Sequence, residues 1–194
     1  MDTSTFASAY GLSTSIGIRP FLTLALASLA MHFGYLHPAH AFAFLGTDGA
    51  TWLLAGLAVL EFAADKIPIV DHTLHVLHFA AKPIAAALLV GSAVSAGGSP
   101  DASADLMMGL GALNALGVHT AVAATRGAST AMTLGVANPF LSLGEDIAAV
   151  LSAVLAILVP FAGAMLAAVL TLALLIVARH LYLEMRRSRA VTAS

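Results

Sequence analysis

The chain has 194 residues, 60% of them hydrophobic and only 9% charged, with a mean hydropathy of +0.96. Soluble domains carry about 25% charged residues, so a soluble globular or disordered protein is excluded. Eight Lys and Arg against ten Asp and Glu leave no basic surface for nucleic acid, and the absence of Cys excludes disulfides, thiolate nucleophiles and Cys-ligated metals. What remains is an all-α, polytopic transmembrane helical bundle.

A helix crossing a core of roughly 30 Å needs about 20 apolar residues. In chain order the apolar runs place six spans at 8–34, 50–66, 70–96, 104–125, 139–159 and 161–184. Across the last two, residues 147–178 form one continuous stretch without a charged residue. A turn around Val159, Pro160 and Gly163 divides it, because Pro breaks the helical ladder and Gly permits the reversal. Residues 1–187 read as one transmembrane domain and 188–194 as a flexible cytoplasmic tail. The first eighteen residues lack Lys and Arg, so no cleaved signal peptide is expected.

The basic residues orient the bundle. With both termini in the cytoplasm, Lys66, Arg126, Arg179, Arg186, Arg187 and Arg189 fall in or near inner segments. The outer connections at 35–49 and 97–103 hold no Lys or Arg. An odd number of spans would instead put the N-terminus outside and leave the tail where it is. Tyr35, Trp52 and Tyr182 fall at span ends, as interfacial aromatics do. The location implied is the inner membrane of a bacterium, with the lipid bilayer as first partner. Six helices offer little volume for a pathway, so a homodimer is compatible with the sequence.

Two segments echo each other. Gly11, Gly17, Ile18 and Arg19 recur as Gly111, Gly117, Val118 and His119. On six spans they would run in opposite directions, the mark of an inverted three-plus-three repeat, an architecture common among transporters. Small residues at this spacing also serve close helix packing, with no symmetry implied.

The charges inside the spans carry the functional argument, since each costs about 2.5–3.5 kcal/mol at a helix centre. Arg19 follows Ser13, Thr14 and Ser15. Glu61 and Asp65 lie four apart, on one helix face, and Asp71, His75, His78 and Lys82 form one stripe along the third span. Asn114 and His119 mark the fourth span; Ser142, Glu145 and Asp146 mark the fifth. Five spans thus contribute polar groups on the cytoplasmic side, which points to a shared pocket opening there. Arg19, Glu61, Asp65, Asp71, His75, Glu145 and Asp146 are the candidate binding residues, and His75, His78 and His119 the candidate proton relay. Asp71, His75 and His78 also have the donor types for a divalent metal; no other cofactor is expected.

Each group has a structural alternative. Lys66 and Arg126 read as anchors that snorkel to the headgroups. Asp71 suits a helix cap, and Asn138-Pro139 suits the start of the fifth span. Ser142 and Glu145 fit a capping box, which would hold Glu145 at the interface.

The stretches 61–72 (Glu61, Asp65, Pro68, Asp71) and 138–146 (Asn138, Pro139, Ser142, Glu145, Asp146) resemble the two hallmark segments of a prokaryotic membrane family, domain of unknown function 4126. Gly17-Ile18-Arg19-Pro20-Phe21 resembles its N-terminal motif, and His78 and Pro83 match as well. The resemblance covers most of the chain to about residue 160. His75 and Lys82 depart from the Asp and Arg that the family favours. The resemblance implies an inner-membrane protein whose charges follow a family pattern, and it implies no activity. The leading expectation is a small transporter or channel for an ion or small solute, with room for proton coupling. The alternative is a membrane-embedded enzyme acting on a lipid headgroup or phosphate through carboxylate and His chemistry.

Overall fold

The computed structural model describes residues 3–64, 68–94 and 102–192. Among them are seven α-helices: α1 (Thr3–Ile18), α2 (Pro20–His32), α3 (Asp48–Ala64), α4 (Pro68–Val94), α5 (Ala102–Thr133), α6 (Asn138–Leu158) and α7 (Pro160–Thr192). A 3₁₀ segment, His40–Gly46, joins α2 to α3, and no strand is present among the described residues. Four helices are long and apolar enough to cross a membrane. A fifth crossing arises when the 3₁₀ segment and α3, bent by 60° at their junction, act as one span.

The first expected span is where sequence and structure part. The stretch 8–34 is two half-length helices, broken at Arg19 (φ −134°, ψ 96°) with Pro20 opening α2. A residue before proline is pushed to extended backbone, and proline itself fits the first position of a helix. The break reverses the chain. Ser15 and Thr23 hydroxyls meet at 2.6 Å across it, although eight residues along one helix would separate them by about 12 Å. At the other end Thr5 and Ser8 of α1 line the same crevice as Met31 and Leu36. The pair is therefore a helical hairpin whose apex is Arg19-Pro20.

Helix α1 forms the axis of the bundle. Every residue from Gly11 to Pro20 is buried, and α4, α5, α6 and α7 all pack on α1. Small residues allow this closeness. A Cβ on Gly11 would lie 2.7 Å from Ala156 Cβ, and one on Gly17 would lie 2.8 Å from the Ala115 carbonyl. Helix α3 stays outside, packed mainly on α2, with only Leu54 and Glu61 buried.

The neighbours fix the directions. Ser8, Ser15 and Arg19 meet Ala156, Ala149 and Ser142 in turn, so α1 and α6 are antiparallel. Asn114 bonds Ser13 and Thr14, and Gly17 abuts Val118, so α1 and α5 run parallel. The echoing segments 11–19 and 111–119 are thus parallel neighbours in close contact and not the inverted pair that six spans implied. Gly11 abuts Gly163, and Ile18 lies beside Leu170 and Leu174, so α1 and α7 run parallel and Thr3 and the end of α7 lie at opposite ends of the bundle, where six spans would put both on one side. The remaining spans begin and end close to where the sequence put them, including the α6–α7 break at Val159. Helix α5 runs on to Thr133, and α7 continues helically to Thr192 through the stretch read as a tail.

Candidate functional site

The hairpin apex leaves two half-helix ends inside the bundle. A helix C-terminus exposes carbonyls with no intrahelical partner and carries partial negative charge; an N-terminus exposes N–H groups and partial positive charge. Each end is met by an opposite charge. The Lys82 ammonium of α4 donates to the Gly17 and Ile18 carbonyls at the end of α1, both at 2.9 Å. The Glu61 carboxylate of α3 accepts the Phe21 and Leu22 N–H groups at the start of α2, at 3.1 and 3.2 Å. Lys82 and Glu61 are 2% and 3% exposed, so neither charge is relieved by solvent.

Two histidines extend these contacts. Lys82 Nζ lies 2.9 Å from His119 Nδ1. When Lys82 is an ammonium it donates to His119, whose own proton then sits on Nε2; when it is the free amine, His119 Nδ1 can be the donor. Glu61 Oε1 lies 3.4 Å from His78 Nε2. His78 and Lys82 are one turn apart on α4, and Pro83, next in the chain, denies the Phe79 carbonyl its helical hydrogen bond.

On the α6 side Arg19 occupies the centre of a chain of ion pairs. Its Nε lies 2.7 Å from Asp146 Oδ1, and its terminal nitrogen donates to Ser142 Oγ at 3.0 Å and lies 3.6 Å from Glu145. Arg126 of α5 grips Glu145 from the other side with two hydrogen bonds, one from Nε at 2.9 Å and one from the terminal nitrogen. Bidentate pairing of this kind uses the fixed fork of the guanidinium. Among these residues Arg19, Lys82 and Arg126 balance Glu61, Glu145 and Asp146, so the assembly is neutral as a whole.

Lys82, His119 and Asp146 each lie within about two residues of the midpoint of α4, α5 and α6. Glu61, by contrast, lies three residues from the end of α3 and Arg126 seven from the end of α5. Four of the expected binding residues meet around the apex: Arg19, Glu61, Glu145 and Asp146. Asp65 lies outside the described residues, as do the side chains of Asp71 and His75. Of the expected metal donors, His78 faces Glu61, and no group of three His, Asp or Glu side chains among the described residues is arranged to hold a metal.

Two assignments change and one residue is added. Arg126 is buried in the Glu145 pair and is no headgroup anchor. Ser142 lies one turn inside α6, bonded to Arg19, so it forms no capping box with Glu145. Lys82 was visible only as the last member of the α4 stripe. Its position seven residues after His75 and four after His78 was the available signal.

Residues 6–180 match the family described as Domain of unknown function (DUF4126). The chain belongs to that family. No curated protein and no solved structure matches it. The match spans α1 through most of α7, so the hairpin and every charged residue described at its apex lie within the family's own boundaries.

Proposed function

We propose that the protein is a small membrane transporter or channel for an ion or small solute, coupled to protons, with its site at the apex of the α1–α2 hairpin. The observation that carries this reading is the pair of half-helix ends held open inside the bundle, one by Lys82 and one by Glu61. Discontinuous helices with charged ends at the midplane are how many transporters bind substrate and coupling ions. Helix adhesion alone needs far fewer charges. Lys82–His119 and Glu61–His78 are the proton-exchanging pairs, since each brings together groups that gain and lose protons, at 2.9 and 3.4 Å. The Arg19, Asp146, Glu145 and Arg126 chain lies beside them.

The orientation follows from the basic residues. Arg179, Arg186, Arg187 and Arg189 lie toward the end of α7, and Lys66 lies in the connection at that same end. The connections at the opposite end, 33–47 and 95–101, hold none. In a bacterial inner membrane the Arg-bearing end faces the cytoplasm, which places the start of α1 outside.

Proteoliposomes loaded with a pH-sensitive dye, with a membrane potential imposed by potassium and valinomycin, test this reading. The native protein is expected to carry protons inward. Lys82→Met and Glu61→Gln are each expected to slow that flux at least roughly tenfold, a barrier change of about 1.4 kcal/mol, while Leu172→Ala on the exposed face of α7 leaves it unchanged. Equal flux from native protein and both site variants, in correctly folded preparations, would contradict it.

A further inference from the structure

One way into the charged cluster is visible from the side of the bundle. A cleft of about 240 Å³ lies between α5, α6 and α7, against Ile18 at the end of α1. Its walls are apolar, formed by Val122, Leu141, Leu170 and Leu174, and its polar lining comes chiefly from Glu145 and Thr125. Among the described residues, Glu145 is the only ionisable one on that lining. Its side chain is 14% exposed, against 5% for Arg19 and 7% for Arg126, and neither guanidinium lines the cleft. Thr125 donates its hydroxyl proton to the Ala121 carbonyl, so it offers lone pairs to an incomer. The cleft thus presents two acceptors in an apolar slot. A carboxylate has about four lone-pair positions; Arg126 takes two and Arg19 lies 3.6 Å from Oε2, which leaves capacity for one further donor.

The geometry points to an amphipathic amine as the occupant: a short apolar chain in the cleft, with its ammonium on Glu145 and Thr125. An anion of the same shape would meet acceptors only, and burying it there without a donor is unfavourable. The volume is below the roughly 300–1,000 Å³ of drug-sized pockets, which favours one short chain over a two-chain lipid. The larger cleft, about 410 Å³ beside Tyr10 and Met107, contains no ionisable group but the Tyr10 phenol, and its Asn114 amide already serves Ser13 and Thr14. It supplies no comparable charge. The assignment rests on the transport reading, because it names the substrate class of that same charged cluster.

Equilibrium binding to the full chain in phosphatidylcholine nanodiscs tests it, with octylammonium, octanoate and octanol as probes of one chain length. Octylammonium is expected to bind saturably and at least roughly tenfold tighter than the other two. Glu145→Gln is expected to abolish that preference. Gly144→Leu places a side chain in the cleft at a position where an added Cβ meets nothing within 4 Å, so it is expected to fold normally and lose binding. Octanoate binding as well as octylammonium, or octylammonium binding that survives Gly144→Leu, would overturn the assignment. Absent amine binding with intact Lys82-dependent proton flux would remove only this inference. Amine binding without any flux would keep the site and remove the transport reading.

Discussion

At the residue scale, the strongest local commitment is Arg126 with Glu145. Two hydrogen bonds join a buried guanidinium to a carboxylate that also lies near Arg19. Removing one partner of a buried pair leaves an uncompensated charge, at a cost of about 3–5 kcal/mol, whereas replacing both by apolar groups is often neutral. Arg126→Leu is therefore expected to lower thermal stability in detergent sharply, and Arg126→Leu with Glu145→Leu to recover most of that loss. A double variant as unstable as the single one would show that Glu145 matters mainly through Arg19. The two acids were legible as functional candidates because adjacent carboxylates so far along a helix have no cheap structural role. Arg126 was not legible as their partner. An arginine close to a span end looks the same in sequence whether it reaches for headgroups or for a carboxylate on the next helix.

At the element scale, the decisive feature is the closeness of α1 to its neighbours. Gly17 and Gly117 occupy equivalent places in the two echoing segments, yet their surroundings differ. A Cβ at Gly17 would meet Val118 at 2.6 Å and the Ala115 carbonyl at 2.8 Å; at Gly117 it would meet nothing within 4 Å. Gly17→Ala is expected to push α1 off α5, costing about 1–3 kcal/mol of overpacking and shifting Arg19 from its partners. Gly117→Ala is expected to be neutral, or to stabilise by up to about 1 kcal/mol through helix propensity. Thermal unfolding of both variants checks the contrast, and equal effects would refute it. The spans themselves were readable because length and hydropathy determine whether a helix can cross. The hairpin was not, since the 27 residues 8–34 satisfy the same length test as one long helix. Arg19-Pro20 was the sign available, as a proline that opens a helix marks a break. Hydropathy carries no direction, so it could not register the reversal.

At the scale of the whole molecule, one reversed hairpin changes the parity of the topology and with it the meaning of the internal echo. The termini of the described chain lie at opposite ends of the bundle, and the chain holds no native Cys. Single variants Thr3→Cys and Thr192→Cys in intact membranes are therefore expected to react with an impermeant maleimide from opposite sides; labelling of both from one side would contradict the parallel arrangement of α1 and α7. The same hairpin brings charges from α3, α4, α5 and α6 together around its apex. Its most direct test is a disulfide between Thr5→Cys and Met31→Cys. Both positions line one crevice at a single end of the bundle, so mild oxidation is expected to cross-link them readily within one chain. In a continuous helix the same residues would lie roughly 39 Å apart, and failure to cross-link, with both thiols reactive toward maleimide, would show that the first span is unbroken.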